Sequence, residues 1–170
     1  MCIRDRLQSI IPIIKELSKK NKNLEFLITT VTLSSSNLAK QEFKKLKNVY
    51  HRFFPIDVVF IIEKFILSWK PNVIILVDSE IWPNMLKNLK KNKIPTILIN
   101  ARITNKSFKR WKIFGTFANE VFSKITIALP SNLETQKYLK ILGVKKIKFI
   151  GNLKFLSLIH ISEPTRRILI

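Results

Sequence analysis

Residues 71–84 read "PNVIILVDSEIWPN". Within them, "NVIILV" (72–77) is a near-continuous apolar run rich in β-branched residues, which predicts a buried strand. Two carboxylates, Asp78 and Glu80, follow at the strand's end in a chain whose formal net charge is +20. Trp82 and Pro83 come next, and proline suits the first position of a helix through "PNMLKNLKK" (83–91). A buried strand, a short acidic turn and a helix make a β-to-α unit. The rest of the chain can be tested for the same alternation.

The alternation extends in both directions. Upstream, "QSIIPIIKELSKK" (8–20) has helical spacing, and Pro12 places the expected start near residues 9–11. "LEFLITT" (24–30) predicts a strand, "LAKQEFKKL" (38–46) a helix capped from "TLSSSN", and "VYHRFF" (49–54) a short strand. "DVVFIIEKFILSW" (57–69) predicts a helix opened by Asp57. Downstream come a strand at 95–100, helices near 105–114 and 117–122, and a strand at 124–129. A helix at 131–142 ended by Gly143 and a last strand at 146–151 complete the pattern. Strands that are mostly apolar throughout point to a doubly wound parallel α/β sheet, Rossmann-like, with strands covered on both faces.

In such sheets ligands bind beyond the carboxyl ends of the strands. Asp78, Glu80, Asn100, Arg102 and the hydroxyl cluster 29–36, with Ser34 and Ser35, all fall at such ends, which predicts one shared site. Asp78 could stabilise developing positive charge or orient a hydroxyl, or it could cap the turn while Glu80 faces water. Arg102 is a natural anion clamp, because its planar fork pairs with carboxylate or phosphate. In "NARITNKSFKRW" (100–111) and just beyond, Lys106, Lys109, Arg110 and Lys112 interleave with Phe108, Trp111 and Phe114. Two readings fit: an aromatic stripe in the core with lysines in solvent, or a basic interfacial patch for an anionic lipid headgroup. Hydroxyls ahead of a helix can hold an anion or simply cap it. In "GNLKF" (151–155), Lys154 could reach an anionic group or be a surface lysine.

With 170 residues, 46% of them hydrophobic and 10% aromatic, the chain is long enough to bury a core. No apolar run approaches the roughly 20 residues of a membrane span. The basic balance suits a polyanionic partner such as an anionic membrane surface, a phosphorylated substrate or nucleic acid, or else lysines on solvated faces. There is no G-x-G-x-x-G, no Walker loop and no His/Cys cluster, so dinucleotide, nucleotide-hydrolysing and zinc chemistries are disfavoured and no metal is expected.

Both ends resemble translated adapter DNA. Cys2 to Asp5 translate TGT ATA AGA GAC, and Leu156 to Arg166 match the complementary end read into its adjoining adapter. Residues 1–6 and 156–170 are therefore expected to be non-native tails around a native segment at 7–155. They hold four arginines against Asp5 and Glu163, so the native segment keeps +18 of the +20.

Taken in order, "IPIIKEL…LEFLITTVT", "VDSEIWPN", "IPTILINARIT" and "GNLKF" resemble the N-terminal half of the 3-deoxy-D-manno-octulosonic acid (Kdo) transferases across 7–155. The resemblance implies the acceptor-side domain of a GT-B glycosyltransferase. Such an enzyme transfers Kdo from CMP-Kdo to a lipid A precursor with inversion and no catalytic metal. It works at the cytoplasmic face of the bacterial inner membrane in lipopolysaccharide biosynthesis. The donor would be bound mainly by a C-terminal domain beyond this chain. The family's first motif acid, a proposed transition-state stabiliser, falls on Asp78, where the family usually has the longer Glu. Glu80 matches its second acid, Asn100 and Arg102 its Asn-Ala-Arg motif, and Lys154 a second proposed stabiliser. The general-base position falls on Arg6, inside the adapter-like tail, so the chain alone is expected to be inactive. The alternatives are another GT-B glycosyltransferase acting on a lipid or cell-wall acceptor, and a basic nucleic-acid-binding α/β domain. The latter leaves the strand-end carboxylates unexplained, and no nucleic acid is expected as partner.

Overall fold

The computed structural model describes residues 3–151. They divide into two compact units, one reaching Phe54 and one beginning at Pro55. Both are parallel α/β arrangements, as the alternation predicts.

The first unit runs α1 (Ile3–Lys20), β1 (Phe26–Thr30), α2 (Leu33–Phe43) and β2 (Val49–Phe53). β1 and β2 pair in parallel, with Phe26 opposite Val49 and Thr30 opposite Phe53. On α1, Leu7, Ile11 and Ile14 form one buried stripe against Ile28, Ala39 and Phe43. α1 starts well before the expected residues 9–11, so Pro12 lies inside the helix. Pro12 and Gln8 are both exposed, so water can serve the Gln8 carbonyl that proline cannot. α2 likewise starts earlier than predicted. Thr32 caps it from an extended conformation, its Oγ1 accepting the Ser35 N–H at 3.4 Å. The serine run thereby becomes the helix's first turn.

The second unit continues α3 (Val59–Trp69), β3 (Ile74–Val77), α4 (Pro83–Lys91) and β4 (Thr96–Ala101). α5 (Asn105–Ile113), α6 (Gly115–Phe122), β5 (Ile127–Pro130) and α7 (Leu133–Ile141) follow. Its sheet has the order β3-β4-β5, all parallel, with Ile74 opposite Thr96 and Ile97 opposite Ile127. β4 is central and buried almost throughout. Leu76, Leu98 and Ala128 from the three strands pack with Leu86, Phe122 and Leu139 from the helices. Each large side chain so buried stabilises the fold by roughly 1.5–3 kcal/mol.

Three expectations change here. Among the described residues the strands form two sheets, of two and three strands, and only β4 is buried almost throughout; Ile75 on β3 is 47% exposed. Residues 146–151 contribute one parallel bridge, Ala128 to Ile147, instead of a full strand. Lys148, Phe149 and Ile150 are exposed. Finally, Asp57 does not open α3, whose cap position is Val58 with no side-chain bond. Its carboxylate goes to α4.

Candidate active site at the carboxyl edge of the three-stranded sheet

The strand ends of β3 and β4 carry the two most unusual residues of the second unit. Asp78 directly follows β3 with φ 65°, and Asn100 lies near the end of β4 with φ 50°. Both are about 3% exposed. The left-handed region costs a residue with a β-carbon roughly 1–2 kcal/mol, least for Asn and Asp. Burying a carboxylate adds a further cost unless its charge is compensated. Such backbone positions persist where the surrounding structure over-determines them, and they cluster at functional sites.

The surroundings do over-determine them. Val77 lies opposite Ile99, which makes Asp78 and Asn100 the next residues on neighbouring strands. The Asp78 N–H donates to the Ile99 carbonyl at 3.0 Å, and the Arg102 N–H donates to the Asp78 carbonyl at 3.3 Å. The acidic turn and the Asn-Ala-Arg segment are thus laced together by backbone. On the other side of β4 the register with β5 shifts between Leu98 and Ala101, an irregularity that brackets Asn100. A bulge of this kind re-aims a side chain near the rim of a sheet. Beyond it, the Ser131 N–H and hydroxyl both donate to the Ala101 carbonyl, at 2.9 and 3.0 Å. The Ile103 N–H donates to the buried Thr135 Oγ1 at 3.2 Å.

Among the described residues, Asn100 Oδ1 is buried and accepts no hydrogen bond. A buried amide oxygen of this kind is a position at which a donor hydroxyl or N–H would be welcome. Glu80 is half-buried just after Asp78, and Arg102, two residues after Asn100, is exposed.

The predicted site residues fall in both units. Asp78, Glu80, Asn100 and Arg102 share the carboxyl edge of one sheet. Ser34 and Ser35 belong to the first unit, where Ser34 is exposed and Ser35 is buried in the cap of α2. Lys154 lies outside the described residues. The aromatic stripe splits as well. Phe108 stacks on Tyr138 with centroids 4.1 Å apart, and Trp111 meets Phe122 edge-on at 5.1 Å. Both join the core, whereas Phe114 stays exposed. Sequence reasoning missed Ser131, Thr135 and Asp57 as supports of this edge. The only signal for Asp57, an acid just ahead of an apolar helix, pointed to the wrong helix.

Parallel strands with polar groups gathered at their carboxyl edge fit a Rossmann-like domain, a class in which ligands lie beyond the strand ends. The family described as 3-deoxy-D-manno-octulosonic-acid transferase (kdotransferase) matches residues 6–157, and the chain belongs to it. The 3-deoxy-D-manno-octulosonic acid transferase of Rickettsia typhi is 36% identical over 146 residues, 84% of this chain and 30% of that protein. That of Rickettsia prowazekii is 36% identical over 152 residues, 88% of this chain and 32% of its own length. That of Haemophilus influenzae is 29% identical over 146 residues, 85% and 34% of the two chains. The chain thus spans about a third of the length of these relatives.

Proposed function

We propose that the chain supplies the acceptor side of a glycosyltransferase that moves Kdo from CMP-Kdo to a lipid A precursor. The observation that carries the reading is the pair Asp78 and Asn100. They are buried, left-handed and adjacent at one sheet edge, and among the described residues Asn100 Oδ1 has no hydrogen-bond donor. In the reaction an acceptor hydroxyl oxygen bonds to the anomeric carbon as the bond from that carbon to the CMP phosphate breaks. The hydroxyl proton passes to a general base. Asp78 stabilises the positive charge that develops on the sugar, and Glu80 adds negative potential beside it. Asn100 accepts from a substrate hydroxyl, and Arg102 holds an acceptor phosphate. Lys154 counters charge on the departing CMP. The donor is bound mainly by residues beyond this chain, residues 7–155 are the native segment, and the flanking tails take no part.

The acceptor places the reaction at the cytoplasmic face of the inner membrane. Support comes from exposed Ile113, Phe114 and Phe117, which neighbour exposed Lys106, Lys109, Arg110 and Lys112 on α5 and α6. Apolar groups ringed by cations suit an anionic lipid surface.

The test is Kdo transfer by the full-length enzyme with Asp78→Ala and Lys154→Ala. Each should lower kcat by about 100-fold or more, as loss of an electrostatic stabiliser does elsewhere. Near-normal transfer in both would overturn the site. Turnover with a different nucleotide sugar and none with CMP-Kdo would point instead to another GT-B glycosyltransferase.

A further inference from the structure

α4 begins without a cap of its own. Trp82 at its cap position gives no side-chain capping bond, no acid sits in its first turn, and Pro83 has no N–H to offer. The next two donors are taken by a residue far back in the chain. Asp57 Oδ2 accepts the Asn84 N–H at 3.1 Å, and Asp57 Oδ1 accepts the Met85 N–H at 2.8 Å. The Asn84 side-chain amide then donates to the Asp57 carbonyl at 2.7 Å. Three hydrogen bonds thus clamp the segment before α3 to the start of α4. A carboxylate shared between two N–H groups at a helix N-terminus is among the stronger forms of capping.

The placement of this clamp matters. The turn from Asp78 to Trp82 is the segment that carries both acids, and it is fixed at two points. Its upstream end is held by the backbone bonds of Asp78 to Ile99 and Arg102. Its downstream end continues into α4, whose first turn Asp57 holds. The clamp also fills the α4 N-terminus with a carboxylate, so that terminus is closed to a substrate phosphate.

We propose that Asp57 is a positioning residue for the acidic turn: by clamping the α4 N-terminus it sets where the Asp78 carboxylate stands. This rests on the assignment of Asp78 under the proposed function. The consequence is specific. Loss of Asp57 should act through Asp78, on the rate of the chemical step, more than on substrate binding. Small misplacements of a reacting group cost about 100-fold in rate for 1 Å.

The experiment is a double-mutant cycle in the full-length enzyme, with Asp57→Ala, Asp78→Ala and both together, and with Asp57→Asn as the conservative variant. Asp57→Ala should lower kcat by about 10-fold to 100-fold, with KM for the acceptor changed by less than about threefold. Asp57→Asn keeps one acceptor oxygen and should fall between. In the Asp78→Ala background, Asp57→Ala should cost less than about twofold more, since coupled residues are not additive. Rates are taken below the melting transition of every variant, with the folded fraction measured by circular dichroism. Equal losses in both backgrounds, or a loss matched by the unfolded fraction, would overturn the positioning role and leave Asp78 standing. Near-normal transfer by Asp78→Ala would overturn the assignment of Asp78 and the positioning role with it.

Discussion

At Asn100 the backbone and the side chain can be separated experimentally. The residue holds φ 50° and an unsatisfied buried Oδ1. Asn100→Gly removes the amide while easing the backbone, so stability should hold or rise while transfer falls. Asn100→Ala removes the amide and retains a β-carbon in the left-handed region, so it should also lose about 1 kcal/mol of stability. Thermal melts together with transfer rates check this; equal stability of the two variants would contradict the strain. His51 offers a second test. Its Nε2 lies 2.9 Å from Thr30 Oγ1, and its pKa is held below the ordinary value by burial, then by Lys40 and Arg52. The unfolded chain binds that proton more readily than the folded one. The contribution to stability is therefore present at neutral pH and above. It is lost as pH falls from about 6.5 through the lower folded value. An NMR titration of the His51 ring should give a midpoint below about 6.5. Neither behaviour was legible in the sequence. "VDSE" and "NAR" located the acids and the amide at strand ends, but burial and backbone handedness depend on the neighbouring strand.

At the scale of elements, the helices and strands were legible where one local signal dominated. Gly143 ends α7 as its position predicts, with φ +102°. A β-carbon there would come within 2.5 Å of Asn119 Nδ2, so Gly143→Ala combines a strained backbone with a clash. It should destabilise the second unit by about 1–3 kcal/mol, read as a lowered melting point. Pro12 misled the reading of α1 because proline normally marks a first turn. The buried stripe of Leu7, Ile11 and Ile14 carries the helix through it. Pro12→Ala should then stabilise the chain by up to about 3 kcal/mol, since it restores the bond to the Gln8 carbonyl without touching the core. Asp57 shows the opposite failure. An acid before an apolar run reads as that helix's cap, but the donors it serves lie 27 and 28 residues further on. No local rule sees that distance.

At the scale of the whole molecule, charge and exposed apolar surface make a joint prediction. The net charge of +20 spreads over the helices, and Ile113 is 82% exposed with Phe114 60% exposed among lysines. The chain should bind vesicles of phosphatidylglycerol and ignore phosphatidylcholine, with affinity falling as salt rises. The pair Ile113→Ser and Phe114→Ser should weaken that binding about tenfold or more, since each buried apolar side chain is worth roughly 1.5–3 kcal/mol. Unchanged flotation of the double variant would contradict an interfacial role for α5 and α6. By itself the sequence determined the parallel α/β class, the order of its elements and the strand-end position of its acids. Those properties follow from local periodicity, turn chemistry and residue type. The tertiary structure alone decided that the strands form two sheets, that Asp78 and Asn100 are buried in left-handed conformations, and that Asp57 caps α4. Each of these depends on hydrogen bonds and packing between residues far apart in the chain, which local patterns do not encode.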